Sequence, residues 1–366
     1  MAIATTSSRI EMSFRHRFKR LTRVTYSALF VYSGLAKFLA NRGEPRLLIL
    51  AGHSVDAGES SDGLPADLKI SPDRLERLLR RLSRYARWVT VGEGVGELKN
   101  GSGRGLVALS MDDGYLDNRT QLLPLLESCD ARCTVYLEGR PLEERRVSWL
   151  HQWFWLENEL GPGQAGQRCA AQLGEHADGL AEQIAAGRGD LGNWIKRRFK
   201  YHIPREPRDR AVQAVFEGAG GDERSLCDRL YLSLDEAREL QASGRVELGG
   251  HTYSHEVLST LDDVQAQAEI GRGQQALQAQ LGADCGRSFA YPFGRRWDHA
   301  PAHAQAVKAA GYQSAATTHA GLNRSGTDPL QLKRWMLSES LPAHLLITEV
   351  CGGFDFLRRM GLDLVE

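Results

Sequence analysis

The 366-residue sequence lacks the features that mark several classes of protein. Lysine and arginine (46 residues) balance aspartate and glutamate (46 residues), so the chain carries no net charge that would attract nucleic acid. Its six cysteines are scattered and form no Cys-x-x-Cys pair, which is typical of buried apolar cysteines in a reducing compartment. We therefore expect a cytoplasmic protein that does not bind nucleic acid.

A hydrophobic run long enough for a confident membrane span is also missing from the N-terminal segment, residues 1–46. The apolar run 24–39 is interrupted by Lys37 and shows no clear signal-peptide cleavage site. We expect a basic amphipathic helix that contacts the inner face of a membrane. Its lipid-facing residues would be Tyr26, Leu29, Phe30, Tyr32 and Leu35. The alternatives are a helix packed across the bottom of the fold and an uncleaved signal anchor.

Strand-like and helical patterns alternate along the rest of the chain. The strand-like runs are 47–51, 88–91, 105–109, 133–137, 245–248, 288–291, 314–318 and 332–337. This alternation predicts an α/β domain over residues 47–340, a distorted (β/α) barrel of about seven parallel strands. Residues 138–230 are helical, charged and punctuated by glycine, which indicates a helical insertion within this domain. Residues 341–366 would form a C-terminal tail.

Two adjacent carboxylates, Asp112 and Asp113, follow the strand-like run 105–109 and precede Gly114. Where a strand ends the backbone turns, so both side chains can converge on one point above the sheet. Because like charges repel, such a pair indicates either a bound cation or a carboxyl group with a raised pKa. A solvated Asp-Asp-Gly turn is the alternative.

Two histidines, His251 and His255, follow a second strand-like run, and their spacing allows both to bind one ion. With 11 histidines in the chain this spacing also arises by chance, as it does for His299 and His303. That second pair flanks Pro301 at the polar start of a helix, and we assign it to the surface. Since parallel strands end at one rim, we expect His251 and His255 to meet the carboxylates there.

These motifs resemble those of the polysaccharide deacetylase family, also called the NodB homology domain or carbohydrate esterase family 4. The resemblance covers roughly residues 47–337. Residues 110–118 (SMDDGYLDN) resemble the family's first motif, residues 251–255 (HTYSH) its second and residues 289–294 (FAYPFG) its third. Three motifs in the family's order are far more specific than any one of them.

The resemblance implies a role for each residue of the predicted site. Asp113, His251 and His255 would bind zinc or another divalent transition metal, which leaves Asp112 as the general base. The backbone N–H of Phe293 would stabilise the oxyanion. Other residues at the rim would line the sugar pocket, namely His53, Tyr115, Tyr291 and Pro292.

The sequence departs from the family pattern at three places. Ala290 stands where many members carry an arginine that orients the base, and Arg295 or Arg296 is our candidate replacement. The fourth and fifth motifs are not found after Gly311. His319, just past the strand-like run 314–318, is our candidate general acid, with a surface histidine as the alternative.

By this resemblance the expected reaction is hydrolysis of the N-acetyl group of an amino sugar. The sugar would belong to a polysaccharide, an exopolysaccharide precursor or a lipid-linked intermediate. Two other functions stay open: a deformylase or other amide hydrolase on the same scaffold, and a non-catalytic carbohydrate-binding protein.

In the insertion, aromatic residues at helical spacing could stack on sugars, although such spacing more often indicates packing. They are Trp149, Trp153, Phe154 and Trp155.

Overall fold

A curled sheet lies at the centre of the fold. The structure is a computed structural model, and it describes residues 19, 21–40, 42–56, 58, 63–177, 179–187, 189–283 and 285–359. Its strands are β1 Arg46–Gly52, β2 Ser54–Val55, β3 Lys69–Ile70, β4 Arg87–Val89, β5 Leu106–Met111, β6 Cys133–Leu137, β7 Val246–Gly250, β8 Ser288–Ala290, β9 Ser314–Ala316, β10 Asn323–Arg324 and β11 Trp335–Met336.

The central sheet has the order β10-β1-β5-β6-β7-β8-β9, with β4 beside β5 and β11 beside β1. Its strands are parallel except for β10, which runs antiparallel to β1. A bridge between Ala316 and Leu332, followed by the pairing of Trp335 with Leu50, links β9 back to β1 through one short segment. The sheet therefore curls almost into a closed barrel, which confirms the predicted fold. All eight predicted strands are present.

Helices pack outside the sheet and also form the insertion. They are α1 (21–32), α2 Leu35–Leu39, α3 Pro72–Leu82, α4 Val91–Lys99, α5 Leu123–Ser128, α6 Gly139–Glu144, α7 Trp149–Leu173, α8 Leu180–Ala185, α9 Leu191–Tyr201, α10 Arg205–Gly218, α11 Glu223–Leu230, α12 Leu234–Ala242, α13 Asp263–Leu281, α14 Pro301–Ala309, α15 Ala343–Val350 and α16 Gly353–Arg359. Short 3₁₀ segments cover Ala66–Leu68, Gly174–Ala177 and Leu258–Thr260, and Asn118–Leu122 is π-helical.

Local sequence sets several of these boundaries. Helix α12 begins at a capping box, in which Ser233 Oγ accepts from the Glu236 N–H and the Glu236 carboxylate accepts from the Ser233 N–H. Helix α3 starts with Pro72, whose missing N–H would have had no partner in the first turn. Helix α7 is kinked at Gly161, where φ is +74°.

Strand β1 is buried along its whole length. Its side chains point alternately into the barrel and towards the outer helices. Leu47 and Ile49 belong to a small inner cluster with Tyr136 of β6, whereas Leu48 and Leu50 pack in the layer between the sheet and the outer helices. A strand buried on both faces is typical of a parallel sheet covered by helices. The ends of the strands then provide one rim on which loops can converge.

The insertion, which we delimited as residues 138–230, contains α6 to α11 and has its own apolar core. Its aromatic residues Trp149, Trp153 and Phe154 are buried in that core, which supports a packing role for them. Tyr115 and Phe293, which belong to the first and third motifs, contact the same core. The insertion therefore packs directly on the loops that carry the predicted site.

Helices α1 and α2 pack on the barrel with one side only. Phe30 is buried, and the Tyr26 hydroxyl donates to Gly353 O at 2.6 Å. The expectation that these two residues face lipid is therefore wrong, because they lie on the inner side of α1, whereas Leu29, Tyr32 and Leu35 are exposed. Residues 1–18 lie outside the described part of the chain.

The C-terminal segment, predicted as a tail over residues 341–366, contains α15 and α16. Leu346, Ile347 and Val350 of α15 are buried in the layer outside the sheet, beside Phe30 of α1. Residues 360–366 lie outside the described part. Within the described residues, no helix combines the length and apolar composition needed to cross a bilayer.

Candidate active site

Asp112 and Asp113 lie where β5 ends, and both are almost completely buried. Asp113 has φ +73° and Gly114 has φ +77°, so two successive residues adopt the left-handed conformation. A β-carbon on Gly114 would lie 2.4 Å from the Leu137 side chain, which is why this turn needs glycine. The tight turn places adjacent carboxylates where they reach different partners.

His251 and His255 lie in the loop after β7, and their rings are 5.0 Å apart between centroids. The loop is folded back by Thr252 (φ +65°) and His255 (φ +59°), and the Thr252 hydroxyl accepts from the His255 N–H at 3.1 Å. The left-handed conformation costs free energy for a residue other than glycine, and residues held in it are concentrated at functional sites. Both motif loops therefore carry such residues beside the same group of side chains.

The three predicted metal ligands meet at one point. The Nε2 atoms of His251 and His255 lie 3.4 and 3.3 Å from Asp113 Oδ1. These distances exceed the roughly 2.7–2.9 Å of a charge-assisted hydrogen bond. Ligands about 2.0–2.1 Å from a zinc ion at tetrahedral angles lie about 3.3 Å from one another. The separations therefore match a set of metal ligands better than a set of hydrogen bonds.

The hydrogen bonds around these ligands agree with a metal site. His251 Nδ1 lies 2.7 Å from Ala290 O and donates its proton there, so Nε2 presents its lone pair to the shared point. Within the described part of the chain, the buried Asp113 Oδ1 has no hydrogen-bond donor. Two imidazoles and one carboxylate can thus hold a cation, and they fit zinc with open coordination positions.

Burial and charge act in opposite directions on these groups. Burial would raise the pKa of Asp113, but the imidazoles of His255 and His251 hold that pKa well below its ordinary value. Burial would lower the pKa of His251, yet its interaction with Asp113 raises it. At His255 burial prevails and lowers the pKa, so this imidazole is neutral at neutral pH, as a metal ligand must be.

Asp112 is held by Arg334, which donates to both carboxylate oxygens at 2.6 and 2.9 Å. The guanidinium is completely buried and also donates to Thr317 O at 2.8 Å, which fixes its plane. Burial would raise the pKa of Asp112, but the charge and hydrogen bonds of Arg334, together with the charge of His251, keep that pKa below its ordinary value. Asp112 is therefore an ionised acceptor with a fixed orientation.

Arg334 corrects our interpretation of the missing arginine. Arg295 and Arg296 are exposed, whereas Arg334 comes from the segment that closes the sheet before β11. The sequence did contain a signal, because a charged residue within the predicted strand 332–337 is unusual in a buried sheet. The family resemblance pointed instead to the third motif, which is distant from Arg334 in the sequence.

The loop of the third motif is held by helix α9 of the insertion. Phe293 has φ +60°, and its ring packs edge-on against His255, with centroids 4.8 Å apart. Lys200 Nζ lies 3.3 Å from the centroid of the Phe293 ring and 3.2 Å from Asp298, farther along the same loop. The Tyr201 hydroxyl also donates to Asp298, at 2.6 Å. Helix α9 thus restrains the residue whose N–H is the predicted oxyanion donor.

Tyr115 of the first motif is held by α7 of the insertion. Its hydroxyl lies 2.7 Å from His151 Nε2, and His151 Nδ1 lies 2.9 Å from the Tyr231 hydroxyl. Tyr231 donates to Glu138 at 2.9 Å, and Ser148 Oγ lies 2.9 Å from the same His151 Nδ1, so one buried network joins Tyr115 to Glu138. Burial raises the pKa of Glu138 well above its ordinary value, and the charge of Asp113 raises it further.

The loop of the second motif is held by α10. Arg205 donates to Ser254 Oγ at 2.9 Å and pairs with Glu269 at 2.9 Å, and Glu269 accepts from the Ser254 N–H. Arg208 pairs with the buried Glu256 at 2.6 Å. The insertion therefore contacts all three motif loops, a role that the sequence did not reveal.

The remaining predicted residues have different surroundings. His53 is half-buried, and its charge helps to lower the pKa of Asp113, which places it near the site. Pro292 is buried beside Phe293. Tyr291 is buried too, but its hydroxyl donates to Leu330 O at 3.1 Å and its ring stacks on His299. Tyr291 thus has a packing role, and its hydroxyl is engaged within the protein.

Three further histidines lie near the third motif. His299 and His303 are both buried, so our assignment of this pair to the surface is wrong. His303 Nδ1 accepts from the Ala300 N–H at 3.0 Å, which explains a histidine at the start of α14. His319 is half-buried, with its ring centroid 6.2 Å from that of His299, and its role as general acid stays a prediction.

Comparisons with known proteins support the family resemblance. Residues 191–315 match the family model described as polysaccharide deacetylase, and this stretch contains the second and third motifs. No curated protein matches the chain.

Solved structures share the fold at low sequence identity. The Streptococcus pyogenes deacetylase PplD has a TM-score of 0.55 at 15% identity, and the match covers 84% of this chain and 99% of that one. IcaB from Ammonifex degensii gives 0.51 at 17% identity, covering 85% and 98%. A polysaccharide deacetylase from Bacillus cereus gives 0.52 at 15% identity, covering 84% and 69%. Together, the family-model match over residues 191–315 and the shared fold confirm the resemblance to the polysaccharide deacetylases, a family of hydrolases that act on amide C–N bonds.

Proposed function

We propose that this protein is a metal-dependent deacetylase that removes the N-acetyl group from an amino sugar of a polysaccharide or of its lipid-linked precursor. The observation that carries the proposal is the meeting of Asp113, His251 and His255 at one point, beside an Asp112 fixed by Arg334. Zinc is the proposed metal, because two imidazoles and one carboxylate are a common catalytic zinc set. The relative from Streptococcus pyogenes was solved in complex with acetate, the product expected here.

In the proposed reaction each residue of the site has one task. A divalent metal at the three ligands would supply Lewis acidity at the amide carbonyl. Asp112 accepts the proton of the attacking water; each of its oxygens already accepts from Arg334 but retains a second lone pair. The backbone N–H of Phe293 is the proposed donor to the oxyanion.

The leaving nitrogen must be protonated before the C–N bond breaks, and His319 is the proposed acid. Its carbonyl oxygen accepts from the Arg334 N–H at 2.8 Å, so one backbone contact connects the acid with the residue that orients the base. An imidazole has a pKa close enough to neutrality to both hold and release a proton.

The decisive experiment combines metal analysis with turnover of N-acetylated oligosaccharides, in which released acetate is measured. Asp113→Ala should lose the metal and all activity. Asp112→Asn should keep the metal and lose activity, because the ligands remain but the base does not. Release of formate from formylated substrates, with no acetate, would instead support the deformylase. Sugar binding without turnover would support a carbohydrate-binding protein.

A further inference from the structure

Most of the large apolar side chains that are exposed lie on one surface of the described part of the protein. Among the described residues, eight large apolar side chains are strongly exposed, and five of them lie on α1 and α2. They are Leu21, Leu29, Tyr32, Leu35 and Phe38, with exposed fractions of 45–72%. We call these five residues the α1–α2 face. A group of exposed apolar residues on neighbouring helices is typical of an interaction site.

The α1–α2 face is not needed to hold the two helices on the protein. Leu21, Leu29 and Tyr32 fall within an arc of roughly 80° at 100° per residue, and Leu35 and Phe38 are three residues apart on α2. The other side of the helices provides the packing, where Phe30, Val31, Ala36 and Ala40 are buried. Among the described residues nothing covers the exposed side, which is available to a partner.

Positive charge lies beside the α1–α2 face. Lys37 and Arg42 are exposed there, and the sequence from residue 21 to residue 43 contains no aspartate or glutamate. The Arg42 guanidinium lies 3.7 Å from the centroid of the Phe38 ring, and Arg81 of α3 donates to the Tyr32 hydroxyl at 3.2 Å. Apolar side chains framed by cations complement acyl chains beneath anionic headgroups.

From this arrangement we propose that the α1–α2 face docks the protein on an anionic lipid bilayer. The two helices would lie in the membrane–water interface, with Leu29 and Phe38 among the acyl chains. Lys37 and Arg42 would then contact the phosphates of the lipid headgroups. A second copy of the chain fits less well, because two identical faces would bring their positive charges together. The face belongs to helices outside the catalytic rim, so docking and turnover can be tested separately.

The test is sedimentation of the full chain with vesicles of phosphatidylcholine, with and without phosphatidylglycerol. The wild type should bind vesicles that contain phosphatidylglycerol, and less so at high salt. The double variant Leu29→Ser with Phe38→Ser should lower the partition coefficient about tenfold or more, because two apolar side chains no longer enter the bilayer. Lys37→Glu should also weaken binding, but only to anionic vesicles.

Val264→Ser is the matched control, since Val264 is strongly exposed on α13 but follows the acidic residues Asp262 and Asp263. It should bind as the wild type does. Thermal melting should show all variants folded, and their turnover of a soluble substrate should equal that of the wild type. Failure of the wild type to bind anionic vesicles, or equal binding by the double variant, would overturn the proposal. A dimer in solution that the double variant disrupts, without vesicle binding, would assign the face to self-association instead.

Discussion

Arg334 and Asp112 form a two-point ion pair inside the barrel, although they are 222 residues apart in the sequence. Both side chains are buried, and the pair joins the end of β5 to the segment that closes the sheet. A carboxylate taken out of water is costly unless hydrogen bonds and an opposite charge compensate. The guanidinium therefore both orients the proposed base and makes its burial tolerable.

We expect Arg334→Met to lower the free energy of unfolding by about 3–5 kcal/mol, because Asp112 would be left as an uncompensated buried charge. Urea titration measures the change. Adding Asp112→Asn to this variant should recover part of the loss, since the buried charge is then removed as well. A double variant whose loss equals the sum of the two single losses would show that the residues do not interact.

Arg334→Lys tests orientation rather than charge. Lysine keeps the positive charge but cannot donate from two parallel N–H groups, so Asp112 would lose its fixed plane. A displacement of about 1 Å at a reacting group can cost on the order of 100-fold in rate. We expect kcat to fall by about that factor while metal content stays at the wild-type level. Loss of the metal would mean that Arg334 acts on the ligands instead.

Lys200 should make stability depend on pH. Burial lowers its pKa to about 7, although the nearby Asp298 opposes that shift. In the unfolded chain a lysine has a pKa of about 10.4, so between about pH 7 and pH 10 the unfolded state binds more protons than the folded state. The contribution of Lys200 to stability should therefore rise with pH over this window and be smallest below it.

The measurement is the free energy of unfolding of the wild type minus that of Lys200→Met, at a series of pH values. We expect this difference to increase from about pH 7 to about pH 10. Lys308→Met, at an exposed position on α14, is the matched control and should show no such increase. A difference that is constant, or that falls with pH, would contradict the shift at Lys200.

The sequence predicted the parts of this protein that depend on neighbours in the chain. Eight strands followed from apolar runs, and the proposed metal ligands from two motifs that each follow a strand. The partner of Asp112 could not be found in this way, because it depends on which strand closes the barrel. His299 and His303 were misplaced for a related reason: polar residues at the start of a helix indicate the surface unless a tertiary contact buries them.

The contacts of the insertion show the same limit. His151, Lys200 and Arg205 are unremarkable in a charged helical sequence, and only their packing on the rim brings them to the three motif loops. In α1 both sides of the helix are apolar, so the pattern did not tell which side faces the barrel. Tyr26 and Phe30 were therefore assigned to the wrong side.

Gly249, two residues before His251, allows β7 to approach β8 closely. A β-carbon there would lie 2.7 Å from Ser288 O and 2.6 Å from the Tyr136 ring, and a backbone oxygen cannot move aside as a flexible side chain can. We expect Gly249→Ala to lower the free energy of unfolding by roughly 1–3 kcal/mol, as overpacking of a core does. Since β7 leads directly into His251, metal affinity and turnover should fall as well.

Gly271 is the matched control, because it lies on α13 and a β-carbon added there would meet no other described residue within 4 Å. Gly271→Ala should raise the free energy of unfolding by about 0.5–1 kcal/mol, since alanine favours the helix, and should leave turnover unchanged. Urea titration, metal analysis and acetate release would be measured on both variants. Equal behaviour of the two would show that the close approach of β7 and β8 does not position His251.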